Sequence, residues 1–403
     1  MVVCNELGSF QTRRRVDAAR VGIACSNGDS GDSEEHVTPD GGHPDASLDA
    51  DGRDASALVP DASDDAPDAG PRTCSDDDVC HTALPPDSYL RDVWSAGNGV
   101  VWAVGWTEVK NRVPTGTVFR WDGSAWTVHF EMKDRLHTVW GSGSTDIWIG
   151  GEGGLFHGTG ASSEAITWTK VRSESISSIW GSSATDIWAV GSLWQYTNPY
   201  RGTVLHFKGP SANGGDGWEV DPLTSRPAAY QKVWGTSADD VWIAGRVPPP
   251  SGSNATGQVL HRVADGDGAL AWRKEQPQTV VTARADLNGI SFTKSAAAVV
   301  GFHGDSSSPY LHTGVSDDNG ATFTWTLRTA AETGFANNAL SAVWGTGPND
   351  IWAVGERGRL RQWDGIRWRV AAVALDDVMP VQNAGHAMWG TGANDIWAVG
   401  ADI

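Results

Sequence analysis

From Leu90 to the end of the chain, short apolar runs alternate with clusters of Gly, Ser, Thr, Asn and Asp, and one phrase keeps returning. It reads LRDVWSAGNGVVWAVG, LHTVWGSGSTDIWIGG, ISSIWGSSATDIWAVG, YQKVWGTSADDVWIAG, LSAVWGTGPNDIWAVG and HAMWGTGANDIWAVG. The β-branched and aromatic run ending in Trp predicts a strand, the polar cluster a turn, and the Ile-Trp-Ala-Val-Gly type of ending a second strand. The first Trp falls at 94, 140, 180, 234, 344 and 389, and the second at 102, 148, 188, 242, 352 and 397. Residues 287–301, LNGISFTKSAAAVVG, are a degenerate copy with Phe292 at the first anchor. In most copies another hairpin follows, such as TVFRWDGSAWTV or RLRQWDGIRWRV, with Asp122-Gly123 and Asp364-Gly365 as strong turn signals. Its second strand carries Trp126, Trp168, Trp218, Trp272, Trp325 and Trp368.

Two hairpins per copy make four strands, and an interval of about 49 residues suits a four-stranded repeat. Adjacent side chains on a strand point to opposite faces, yet in Ile147-Trp148-Ile149 both faces are apolar. A sheet with one wet face alternates. Burial on both faces predicts sheets sandwiched in a ring, that is, an all-β fold, a β-propeller of four-stranded antiparallel blades. The strand count favours seven blades over six, the seventh incomplete, because the last copy stops at Ala401-Asp402-Ile403 and nothing in the polar stretch before Tyr89 offers the missing strands. The repeat uses 20 of the 22 tryptophans, all but Trp106 and Trp194, so the indoles are expected to be wedged between blades.

Composition changes the picture at the N-terminal end. Residues 1–83 hold 18 acidic groups against 6 Arg, most of the chain's net charge of -19. The Asp/Ala/Gly/Pro-rich stretch 26–86 has too little apolar surface to offset its chain entropy and reads as a disordered, self-repelling linker. The divisions are thus 1–25, 26–86 and a propeller over 87–403. Within 1–25, Arg13-Arg14-Arg15 precede a modest apolar patch ending at Cys25, an order that resembles a degenerate bacterial lipoprotein signal with Cys25 as the acylated residue. Cys74 and Cys80 enclose SDDDV, a spacing that closes a small disulfide loop and implies an oxidising compartment. The acidity argues against a nucleic-acid partner, and no apolar run is long enough for a membrane-spanning helix.

The phrases VWGSGSTDIWIGG, IWGSSATDIWAVG and VWGTGPNDIWAVG, with FRWDGSAW and RQWDGIRW, resemble the secreted, often lipid-anchored Trp-rich repeat proteins of myxobacteria. In those an Asp-rich spacer with a cysteine pair precedes a β-propeller; the pair here is Cys74 and Cys80. The resemblance implies fold and export and brings no catalytic residues. The turns also resemble loosely the Asp-boxes of sialidase-like propellers, with Trp where the Asp-box has Gly.

Candidate chemistry is sparse. The Asp before each second strand (Asp146, Asp186, Asp240, Asp350, Asp395) is expected to accept from nearby backbone N–H groups. His157, His206, His261 and His312 occupy the third strand of four repeats, with Arg120 and Gln362 in two others. A ring of imidazoles can hold a metal or an anion, but a position that also accepts Arg reads as one interblade hydrogen bond made repeatedly, so no metal and no cofactor is expected. No nucleophile elbow, His-Glu-x-x-His or phosphate loop is present. The insertions after the second strands gather on one face, and Trp106, Trp194, Tyr196 and Tyr200 are the aromatic groups there that can stack on a sugar or anchor a protein. The function expected is a non-catalytic, monomeric, extracytoplasmic module presenting a rigid face to a protein or carbohydrate. The alternative is an exported sialidase-like glycoside hydrolase.

Overall fold

The computed structural model describes residues 2–3, 73–74, 80–108, 113–193, 201–211, 214–248, 256–264, 268–275, 288–303, 308–328, 340–356, 360–370 and 384–401. Cys25, Trp194, Tyr196 and Tyr200 lie outside them. The fold is all-β: six four-stranded antiparallel sheets over residues 88–132, 136–172, 178–220, 229–275, 288–328 and 340–370, each a meander in chain order. They are the blades of a propeller. Their inner strands pack in succession, Ser88–Ser95 on Leu136–Gly143, then Ser178–Ser183, Ala229–Ser237, Asn288–Thr293 and Leu340–Gly347. Gly385–Gly392 comes next and returns to Ser88–Ser95, which closes the ring.

The hairpin of Gly385–Gly392 and Asp395–Gly400 does not stand alone. Val2–Val3 pairs with Asp395–Gly400, Cys80–His81 pairs with Val2–Val3, and Thr73–Cys74 with Cys80–His81, giving a five-stranded composite sheet. This corrects the expectation that nothing before Tyr89 supplies strands, and part of it falls in the stretch expected to be unstructured. An unpaired edge exposes a row of N–H and C=O groups, and these short segments satisfy it. Cys80 is disulfide-bonded and stands opposite Cys74 in the register. After it the chain docks on the first blade, where the Trp126 indole donates to the buried Thr82 hydroxyl at 2.9 Å.

The wedge is seen directly. The second-strand Trp of one sheet meets the fourth-strand Trp of the next edge to face: Trp102 with Trp168 at 6.2 Å, Trp148 with Trp218 at 5.4 Å, Trp188 with Trp272 at 5.6 Å and Trp242 with Trp325 at 6.1 Å. Trp397 of the composite sheet meets Trp126 of the first blade in the same way, at 5.8 Å. T-shaped pairs of this kind are favoured by the ring quadrupole, beyond the area they bury. A Gly after a first-strand Trp also serves the contact between blades: a Cβ on Gly181 would lie 2.7 Å from the Trp140 ring and one on Gly235 2.6 Å from that of Trp180.

The fifth blade corrects the sequence register. Each first Trp pairs with its second Trp, as in Trp140 with Trp148, but here Ile290 pairs with Ala298, so Ile290 and not Phe292 holds the anchor. A two-residue slip in reading a degenerate copy keeps the same face, which is why hydrophobicity alone did not expose it.

Candidate functional site

The titratable groups of the repeat turn inward on their own blades. Asp186 accepts from the Ser182 hydroxyl at 2.5 Å and from His206 Nε2–H at 2.6 Å, and the imidazole stacks on Trp188 at 3.9 Å. Asp146 is held likewise by Ser142 and by His157 at 2.5 Å, with His157 stacked on Trp148 at 3.9 Å. Asp240 collects Thr236, His261 at 2.7 Å and the Trp242 indole N–H at 3.0 Å. In the sixth blade Gln362 takes the imidazole's place at 2.9 Å from Asp350. A carboxylate only accepts, so Nε2 carries the hydrogen in each histidine pair.

These bonds lie within a blade, not between blades as the sequence suggested, and the aspartates collect side-chain donors rather than backbone N–H groups. The register explains the first point: His157, His206 and His261 stand directly opposite Trp148, Trp188 and Trp242, beside the turn that carries the Asp. His312 does not belong to the set. It pairs with Val299 while Thr313 pairs with Ala298, so it points to the other face, and Ala296 stands where the Asp would be. Arg120 does reach across, donating to Ser163 at 2.8 and 3.0 Å in the second blade. Burial alone would raise the Asp146 and Asp186 carboxyls, but the imidazole and hydroxyl hydrogen bonds outweigh it and hold both below the ordinary range. Among the described residues no three His, Cys, Asp or Glu converge as a metal site.

Trp106 stacks on Tyr89 at 5.8 Å, with the Arg135 guanidinium 5.0 Å from its ring, so its indole is engaged within the protein.

What sequence reasoning missed is the lining of the channel. The inner strands enclose a cavity of about 190 Å³ walled by Trp140, Trp180, Trp234, Trp344 and Trp389 together with Val and Met side chains. Two charged residues line it, Asp92 from the first blade and Lys232 from the fourth. Both precede a first-strand Trp by two positions. There Asp92, Thr138 and Ser178 latch each inner strand to the next: Asp92 accepts from Thr138 Oγ1 at 2.9 Å and Val139 N at 3.1 Å, Thr138 from Ile179 N at 3.1 Å, and Ser178 from Val233 N at 3.2 Å.

One residue earlier, β-bulges in Ser88–Ser95, Leu136–Gly143 and Gly385–Gly392 place Arg91, His137 and His386 on three successive strands. His386 donates from Nδ1 to the Leu90 carbonyl at 2.8 Å. Burial, and then the charge of Arg91, push both imidazoles down to about 4; Arg135 lowers His137 further. The signal for these positions was the alignment of the copies on their first Trp, read backward.

No protein-family model and no curated protein sequence matches the chain. Solved structures do. YCF48 from Cyanidioschyzon merolae aligns at 15% identity over 80% of this chain and 95% of its own, with a TM-score of 0.54. YCF48 bound to D1 peptide aligns at 15% over 79% and 92%, TM-score 0.51. The extracellular domain of a one-component system protein of B. thetaiotaomicron aligns at 9% over 79% of this chain and 38% of its own, TM-score 0.55. These are β-propellers, and at such identities the likeness is one of fold.

Proposed function

We propose that this protein is a non-catalytic, extracytoplasmic binding module that offers one face of its ring to a protein or glycan. One observation carries the reading: the meander sends every connection between second and third strands to the same face, and three of them run to seven or eight residues. The strand ends they join are Thr107 and Thr115, Leu193 and Arg201, and Val247 and Thr256. Sequence that varies from copy to copy on an otherwise repeated frame is where recognition resides. The Asp and His groups of the repeat are occupied in holding turns, which speaks against their use in catalysis. A disulfide at Cys80 supports an oxidising compartment, and the same fold holds a peptide in YCF48.

The experiment pairs a glycan and peptide array with substitution of Trp194 and Tyr196 by Ala. Binding is expected to fall at least tenfold with the melting temperature unchanged. Stability loss instead would make those aromatics packing groups, and turnover of any glycoside in a parallel screen would replace the reading with the hydrolase.

A further inference from the structure

Lys232 occupies the latch position, and it cannot latch. The residues that do so in the first three blades are acceptors, whereas an ammonium has three donors and no lone pair. In the sixth blade and the composite sheet the position is filled by Ala342 and Ala387, so the ring tolerates having no polar group there. Lys232 has no hydrogen-bond or ion-pair partner among the described residues.

The surroundings make that costly. Most of the cavity wall is indole and aliphatic side chain, Lys232 as a residue is half-buried against it, and an ammonium in such a setting favours a counter-ion. The carboxylate that shares the cavity is already spent, since Asp92 accepts from Val93 N, Val139 N and Thr138 Oγ1. It also belongs to the first blade, with two blades between it and the fourth in chain order. An anion entering the channel is therefore attracted to one wall and repelled from another. The volume of about 190 Å³ is too small for a folded peptide or an oligosaccharide. It is comparable with the roughly 150 Å³ cavity that accommodates a benzene ring.

We propose that the channel binds a small carboxylic acid with an apolar, preferably aromatic, body, its carboxylate paired with Lys232 and its body against the Trp140, Trp180, Trp234, Trp344 and Trp389 wall. The pairing is independent of the ring-face ligand of the preceding section, so either can fail without the other.

The probe is 4-phenylbutyric acid, compared with its primary amide and with inorganic phosphate, by calorimetry and by tryptophan fluorescence on the full chain. The acid is expected to bind at least tenfold more tightly than the amide and to alter the indole emission. Lys232→Met should remove the preference for the acid, and Lys232→Arg should keep it, with melting curves showing that both variants fold. Equal binding of acid and amide, no binding of either, or an acid preference that survives in Lys232→Met overturns the proposal. Phosphate competing as well as the acid also overturns it, because the apolar body would then contribute nothing.

Discussion

Asp240 shows what a single side chain does in this ring. Its carboxylate is buried and takes hydrogen bonds from Thr236, His261 and Trp242, while among the described residues Asp395 has only Thr391 and the Trp397 indole N–H and is more exposed. Asp240→Ala strands three donors and should cost roughly 2–4 kcal/mol, against about 1 kcal/mol for Asp395→Ala, in urea titrations. Acid acts on the same groups. Asp146 and Asp186, held low in the folded chain, contribute stability that is present above the ordinary carboxylate range and is lost as pH falls through their folded values. His137 and His386 titrate at about 4 when folded and near 6.5 when unfolded, so the unfolded chain binds the more protons in between. Stability should therefore decline from about pH 6.5 down to about pH 4, and replacing both with Asn should flatten the melting temperature over that window. The Asp and His positions were legible in the sequence. Their partners were not, because a repeat states that a contact recurs without stating whether it is made within a blade or across a seam.

At the scale of strands and sheets, the tryptophans were the readable part. A large side chain returning at one spacing, flanked by apolar residues, leaves few places for it but the interior, and Trp102, Trp188 and Trp242 are fully buried. Trp188→Ala should cost roughly 3–5 kcal/mol. A double-mutant cycle with Trp272 should return a coupling of about 0.5–1.5 kcal/mol, the part owed to the edge-to-face pair. Gly181→Ala should also destabilise, because the added methyl meets the Trp140 ring, and a paired Trp140→Phe should recover part of the loss. The fifth blade was misread for a converse reason: Ala298 replaces its indole, and without that landmark two apolar residues, Ile290 and Phe292, competed for one position. Lys232 was passed over because a lone Lys beside a strong apolar motif reads as solvated until the strand is seen to line a channel.

For the molecule as a whole, periodicity predicted a ring and missed how it is joined. Strands of two residues, such as Val2–Val3 and Cys80–His81, carry no alternation to detect, and their pairing depends on an edge supplied by the far end of the chain. Reducing the Cys80 disulfide should lower the unfolding free energy by on the order of 2 kcal/mol, and the difference should vanish in Cys80→Ser. The seam between the composite sheet and the first blade combines Trp397 against Trp126, the Trp389 indole donating to the Ser95 carbonyl at 2.9 Å, and His386 on Leu90. These contacts join residues nearly three hundred positions apart. During synthesis the first blade must then wait, its Trp126 and Trp121 without their cover, until Trp397 has left the ribosome. Refolding should accordingly show a slow final phase that Trp397→Ala abolishes, and the nascent chain is a natural client for a holding chaperone.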